Sequence, residues 1–169
     1  QLYKDGIVAV EDIPDDMKLT DIQQAKVDVW KAQEAVINKD AIKSFIDSIS
    51  YPIYHFDFET LGPAVPKFKG MKPYEKYPFQ YSLHIEQEDG SLEHKEYLAN
   101  PGQDPREAIS KRMVEDIPKD ACVMAFNISF EKSIIRTLAD NYPVYAGHLM
   151  NIHDNFIDLA IPFKNGDYW

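Results

Sequence analysis

The sequence predicts an α/β domain on a mixed sheet, with three antiparallel strands followed by alternating helix and strand. A small helical appendage precedes it. Three observations carry that expectation. Residues 79–86 alternate apolar and polar side chains and run into an Asp89-Gly90 turn, the mark of a hairpin. Residues 121–126 form a short continuous apolar run between two helical stretches, as a buried strand flanked by helices requires. Tyr51-Pro52 separates this pattern from an upstream stretch whose apolar residues recur at helical spacing.

Residues 1–50 are therefore expected to be a helical bridging segment, and residues 51–169 the main domain, incomplete at its C-terminus. Residues 6–13 read as a turn and a short helix start. Thr20 and Gln23 have the spacing of a capping box, opening a helix whose stripe of Ile22, Ala25, Val29, Trp30 and Val36 reaches about residue 37. Asp40 is expected to cap a second helix carrying Ile42, Phe45, Ile46 and Ile49, stopped by Tyr51-Pro52. Neither helix carries a chemical motif.

Strand one is expected over residues 53–59, followed by a proline-rich loop carrying Lys67, Lys69, Lys72 and Lys76. Strand two places Phe79, Tyr81, Leu83 and Ile85 on one face and Gln80, Ser82 and His84 on the other. Strand three follows near residues 93–98. Asp104-Pro105 then supplies an N-cap and a first-turn proline for a helix to about Ile117. After the apolar strand, a helix over 128–139 buries Ile134, Ile135 and Leu138 and is broken at Tyr142-Pro143. Residues 144–159 are expected to form one more helical piece, ending at Ile157-Asp158-Leu159.

Composition narrows the function classes. The chain has 169 residues, 44% hydrophobic and 12% aromatic, so it can bury a substantial core. No stretch approaches the roughly 18 apolar residues of a membrane span, no signal peptide opens the sequence, and no membrane partner is expected. The lone Cys122 excludes an internal disulfide and reads as a core residue, which with the missing signal peptide predicts a cytoplasmic protein. The start at Gln1 and the end at Tyr168-Trp169 suggest a piece of a longer protein. A net charge of −10 argues against a broad nucleic-acid-coating surface, though less against an enzyme whose acidic centre is masked by cations.

The most informative segment is Asp57-Phe58-Glu59 within strand one. Residues i and i+2 of a strand share a face, roughly 7 Å apart, so the two carboxylates point together and Phe58 points away. On a half-buried surface such a pair needs neutralisation, and a hard divalent cation supplies it. The alternative is one solvated carboxylate and one paired with a Lys or Arg. Both readings stand on the tripeptide alone.

The order of elements is that of an opening ribonuclease H-like domain, and the sequence resembles a family with that fold. Asp57-Phe58-Glu59-Thr60 is similar to the first motif of the DnaQ-like, or DEDD, 3′–5′ exonucleases. Residues 125–131, Ala-Phe-Asn-Ile-Ser-Phe-Glu, resemble their second motif, and Ile157-Asp158-Leu159 resembles the short segment that follows. Residues 78–84 are similar to an uncharacterised bacterial domain-of-unknown-function family within that superfamily, whose members look like fusions to RecB-like nuclease segments. An upstream nuclease-like domain is implied.

The resemblance implies two-metal phosphodiester hydrolysis with Mg²⁺ or Mn²⁺, acting on single-stranded DNA or RNA. Asp57 would bridge both ions, Glu59 would bind one and orient the attacking water, and Glu131 would approach from the next helix. Glu131 replaces the family's Asp, and it equally suits a helix first turn. Asn127 is either an N-cap or a contact to the nucleotide sugar. Thr60 is a turn residue or a contact to a terminal nucleotide. Gln80 is solvated or substrate-facing, and Asp158 is an acid behind the ligands or a structural one. The lysine cluster either grips phosphates or is a solvated loop, and His148 and His153 lack a zinc spacing. The third motif is expected past Trp169, so the fragment is expected to be inactive or severely impaired. Two other classes remain open: a degenerate ribonuclease H-like module that binds nucleic acid or a protein without cutting, and a nucleotide phosphohydrolase.

Overall fold

Alternating burial along the strands generates the main sheet. The structure, a computed structural model, describes residues 2–169, which divide into two compact units, residues 2–48 with 160–169 and residues 49–159. In the second unit, β1 (Ile53–Leu61), β2 (Tyr77–Glu86), β3 (Leu92–Leu98), β4 (Cys122–Ala125) and β5 (Phe156–Asp158) form a five-stranded mixed sheet. The strand order is β3-β2-β1-β4-β5. β1 pairs antiparallel with β2 and parallel with β4, and β5 continues the parallel half.

The hairpin between β2 and β3 follows from its local chemistry. Gly90 takes the left-handed conformation at φ 79° and donates its N–H to the Gln87 carbonyl, while Asp89 accepts from the Ser91 amide. This is a three-residue loop with glycine where a side chain would be strained. β2 carries Tyr81, Leu83 and Ile85 inward, and all three are buried. Its register with β1 shifts between Glu59 and Thr60: Glu59 faces Gln80, Thr60 faces Pro78, and Phe79 is the extra residue of a bulge.

The helices α3 (Arg106–Asp116), α4 (Ser129–Asn141) and α5 (Pro143–Asp154) supply the other half of the core. Ile109, Met113 and Ile117 from α3 and its C-cap, Ile134, Ile135 and Leu138 from α4, and Leu149 and Ile152 from α5 meet Tyr54, Phe56, Phe58, Tyr81 and Leu83 of the sheet. The N-cap position of α3 falls on Pro105, without a side-chain bond, and not on Asp104; Asp104 instead accepts from the Arg106 amide at 3.1 Å and holds its guanidinium at 2.6 Å. The fully buried β4 matches its continuous apolar sequence, with Cys122 as a buried free thiol.

In the first unit, α1 (Asp21–Ala32) opens on the expected capping box between Thr20 and Gln23. It ends five residues short of expectation, because Gln33 turns left-handed at φ 54° and residues 36–38 pair with 167–169. Its apolar stripe is also displaced: Val27 is buried while Ile22 and Trp30 are exposed. α2 (Lys39–Asp47) is capped by Asn38, whose side-chain oxygen accepts from Ala41, and not by Asp40. It ends at Asp47 with Ser48 as its C-cap, before Tyr51-Pro52 is reached. α6 (Ile161–Asn165) packs beside α2.

Two further expectations are corrected in the second unit. Ile157-Asp158-Leu159 does not end a helix; α5 stops at Asp154 and residues 156–158 become β5 because their backbone pairs with β4. Asn127 is not the N-cap of α4. It adopts φ 62°, and Ile128 occupies the cap position without a side-chain bond.

The core contains one buried polar knot. The Tyr81 hydroxyl donates to Asp116 at 2.5 Å, and Asp116 also pairs with Arg112 at 2.8 Å and Lys95 at 3.8 Å. Burial and then the Asp116 carboxylate push the Tyr81 phenol above its ordinary range. Removing one donor from a buried carboxylate costs about 1–3 kcal/mol. Tyr81→Phe should lower the unfolding free energy from denaturant melts by that amount, and an unchanged value would show that the two cations satisfy Asp116 alone.

Candidate active site

Strand alternation places the first carboxylates. Phe58 is 5% exposed within the core, while Asp57 and Glu59 project from the opposite face of β1 and are both exposed. The two acids are thus exposed, although Ser82 and Gln80, which face them across the ladder, are themselves half-buried. Gln80 therefore stands beside Glu59 on the same face. Thr60 comes just after the register shift, half-buried and opposite Pro78. The bulge bends β2 at the point where the carboxylates of β1 end.

The same face carries a row that the sequence did not announce. His55 pairs with His84, and His84 with His94, so three imidazoles lie in register across β1, β2 and β3. His84 and His94 stack at 4.4 Å between centroids, His55 meets Glu86 at 2.8 Å, and His94 meets the Ser82 hydroxyl at 3.3 Å. A shallow cavity of about 220 Å³ opens beside this row, lined by Asp57, His55, His84 and Ser82 over Met124 and Ala125. A larger cavity of about 520 Å³ lies past the ends of β1 and β2 among Leu61, Phe68, Tyr77 and Phe79, but Lys67 is its sole charged lining residue. Of the candidate acids, Asp57 lines the smaller one.

Glu131, Asn127 and Asp158 gather at the turn from β4 into α4. β1 and β4 run parallel, so the carboxyl ends of both strands lie on one side of the sheet, the usual place for ligands in α/β folds. Asp158 of β5 sits opposite Ala125 and accepts the Asn127 amide at 2.7 Å, which fixes the left-handed turn. Glu131 follows in the first turn of α4, 7% exposed, and its Oε2 has no hydrogen-bond partner.

The electrostatics of Glu131 are unfavourable. Burial first, then the negative charges of Asp57 and Asp158, push its carboxyl above the ordinary range against a lowering contribution from its own backbone. Asp57 is thus close enough to be felt at Glu131, and two of the sequence-predicted acids act on one another. Hard carboxylate oxygens with an unmet acceptor suit Mg²⁺ or Mn²⁺. Among the described residues, however, no three His, Cys, Asp or Glu side chains stand together in a ready-made metal cluster.

The chain belongs to the DUF2779 family, a domain of unknown function, whose model matches residues 54–169. No curated protein and no solved structure matches it. No helix among the described residues is long and apolar enough to cross a membrane.

The raised Glu131 carboxyl has a definite consequence for stability. A group that binds its proton more tightly when folded favours folding at low pH, and that contribution is lost as pH rises through its folded-state value. Glu131→Gln should therefore gain stability over the natural chain as pH rises from about 4 to 7 without divalent metal, and lose that advantage at the acid end. Denaturant midpoints across a pH series test this; a difference that stays constant with pH would contradict it.

Proposed function

We propose that this domain is a metal-dependent phosphodiesterase module of the ribonuclease H-like, DnaQ-like type, acting on single-stranded DNA or RNA from the 3′ end. The observation that carries the reading is the buried, partnerless Oε2 of Glu131, under the charges of Asp57 and Asp158, beside the carboxyl ends of a parallel strand pair. The strand order, three antiparallel then two parallel, supports the fold assignment. The positions of Asp57, Glu59 and Glu131 on β1 and the first turn of α4 support the motif assignment.

Asp57, Glu59 and Glu131 would hold the ions. A bound pair of Mg²⁺ or Mn²⁺ ions supplies Lewis-acid activation of the water and of the leaving oxygen. Around it, Asp57 and Glu131 offer carboxylate oxygens from β1 and α4. The Glu59 carboxylate orients the attacking water by accepting its proton in a hydrogen bond. Gln80, opposite Glu59, offers its amide to the substrate, and the Thr60 hydroxyl and Asn127 amide group flank the terminal nucleotide. Asp158 positions Asn127 by accepting its backbone N–H, and stands behind Glu131.

A second reading is a degenerate module that binds nucleic acid or a protein partner without cutting. The absence of a preassembled three-ligand cluster among the described residues favours it, as does Glu at position 131. One experiment separates the two. A 5′-labelled single-stranded oligonucleotide is incubated with Mn²⁺ and the full-length protein, including any segment past Trp169 that carries the third motif. The hydrolytic reading expects stepwise shortening from the 3′ end that Asp57→Asn abolishes. Release unchanged in Asp57→Asn would sink the assignment, and binding without release would favour the degenerate module.

A further inference from the structure

Lys76 closes the loop between β1 and β2, and two separate contacts fix its side chain. The stem runs against the backbone just beyond β1: a Cβ added at Gly62 would meet the Tyr74 carbonyl at 3.2 Å and the Lys76 Cγ at 3.4 Å. The head lies over an aromatic ring, with Nζ 4.6 Å from the centroid of Phe130. That is within the roughly 6 Å reach of a cation–π contact. Phe130 immediately precedes Glu131 in the first turn of α4. The ammonium is therefore held between the end of the strand that bears Asp57 and Glu59 and the start of the helix that bears Glu131.

The loop behind it is fastened at several points. The Tyr74 amide donates to Pro63, the Lys72 amide to the Glu75 carboxylate at 2.7 Å, and the Arg106 guanidinium to the Lys69 carbonyl at 3.0 Å. Phe68 packs edge-on against Tyr77 at 5.3 Å. Lys76 is thus presented by a fixed scaffold.

Its partner matters more than its place. Lys31, Lys43, Lys95, Lys111, Arg106 and Arg112 all face carboxylates. Lys76 faces a ring instead, as Lys26 does at Trp169, but Lys76 does so next to Glu131. A phenyl face attracts the ammonium without accepting its protons or neutralising its charge, so all three N–H donors stay available to an anion. In a chain of net charge −10 that sets a positive donor beside an acidic site.

We propose that Lys76 is the phosphate anchor of this site: its Nζ donates to a phosphodiester oxygen of the strand held at Asp57, Glu59 and Glu131, with Phe130 as the platform that aims it. The assignment rests on the nucleic-acid reading above. Lys76 is a positioning and binding residue here, and it takes no part in proton transfer.

Fluorescence anisotropy of a labelled oligothymidylate with the whole chain, with Ca²⁺ replacing Mg²⁺ to arrest cleavage, tests it. Lys76→Met should weaken binding about fivefold or more and flatten the slope of log K against log salt by roughly 0.7, one phosphate contact on a single strand. Lys76→Arg should retain both, which guards against loss through misfolding. Phe130→Leu, which keeps the charge but removes the platform, should lose part of the affinity. Lys67→Met removes the same charge from the same loop and should cost less. Unchanged affinity and slope in Lys76→Met, or an equal loss in Lys67→Met, would overturn the anchor alone. If the natural chain binds no oligonucleotide, the nucleic-acid reading falls and the anchor falls with it.

Discussion

β1 has to satisfy two neighbours at once, an antiparallel register with β2 and a parallel one with β4, and both depend on which way Phe56 and Phe58 point. The Phe56 ring lies 4.6 Å from Phe58, 5.5 Å from Tyr81 and 6.1 Å from Phe156, so one side chain knits β1 to β2 and β5. Because the side-chain period of a strand is two, a slip of one residue would exchange these rings with Asp57 and Glu59. Two exposed phenylalanines would cost about 1.5–3 kcal/mol each. Two unpaired carboxylates in the core would cost more still. The direction of the acidic pair is thus set by the core on the far side of the sheet, with no bond needed from the acids themselves.

The same register puts the acidic pair and its strand neighbours on one face. Ser82 and Gln80 face the acids across β2, and the histidine row lies one rung further along. The bulge at Phe79 then lets β2 depart from the two-residue repeat where β1 stops, so that the loop of residues 62–76 can return. Gly62 and Lys76 meet there. A strand irregularity, a glycine and a lysine far from the aspartate in sequence therefore belong to one local arrangement.

What was legible in the sequence was whatever depends on near neighbours. The capping box of Thr20 and Gln23, the Asp89-Gly90 turn and the alternation of β2 are local chemistry, and each formed where its residues stand. Expectations failed where distant partners decide. Val36 continues an apolar spacing that suits a helix, yet its amide and carbonyl pair with Trp169. Residues 156–158 are too few to show a strand period and become one only because β4 lies alongside. Asn127 has the chemistry of a cap, but the Asp158 carboxylate claims its amide and holds it left-handed. For the site, the shared face of Asp57 and Glu59 followed from alternation alone. The proximity of Asp57 to Glu131 did not, since no spacing between residues 57 and 131 encodes it. Nor did the contact of Lys76 with Phe130, which joins a loop to a helix.

Glu131 is where a purely structural account is weighed against a functional one. A carboxylate in the first turn of a helix gains typically 0.3–1 kcal/mol from the peptide dipoles. If that were its whole purpose, the charge should be stabilised and its proton affinity lowered. The opposite holds: burial, then Asp57 and Asp158, raise it, and Oε2 goes without a partner. A residue kept for helix stability alone would serve better a turn away or in solvent, since the bond to its own backbone does not offset the rise. Its placement costs the fold, and that cost is what the proposed divalent cation would relieve, by meeting the orphaned oxygen and compensating the charges of Asp57 and Asp158.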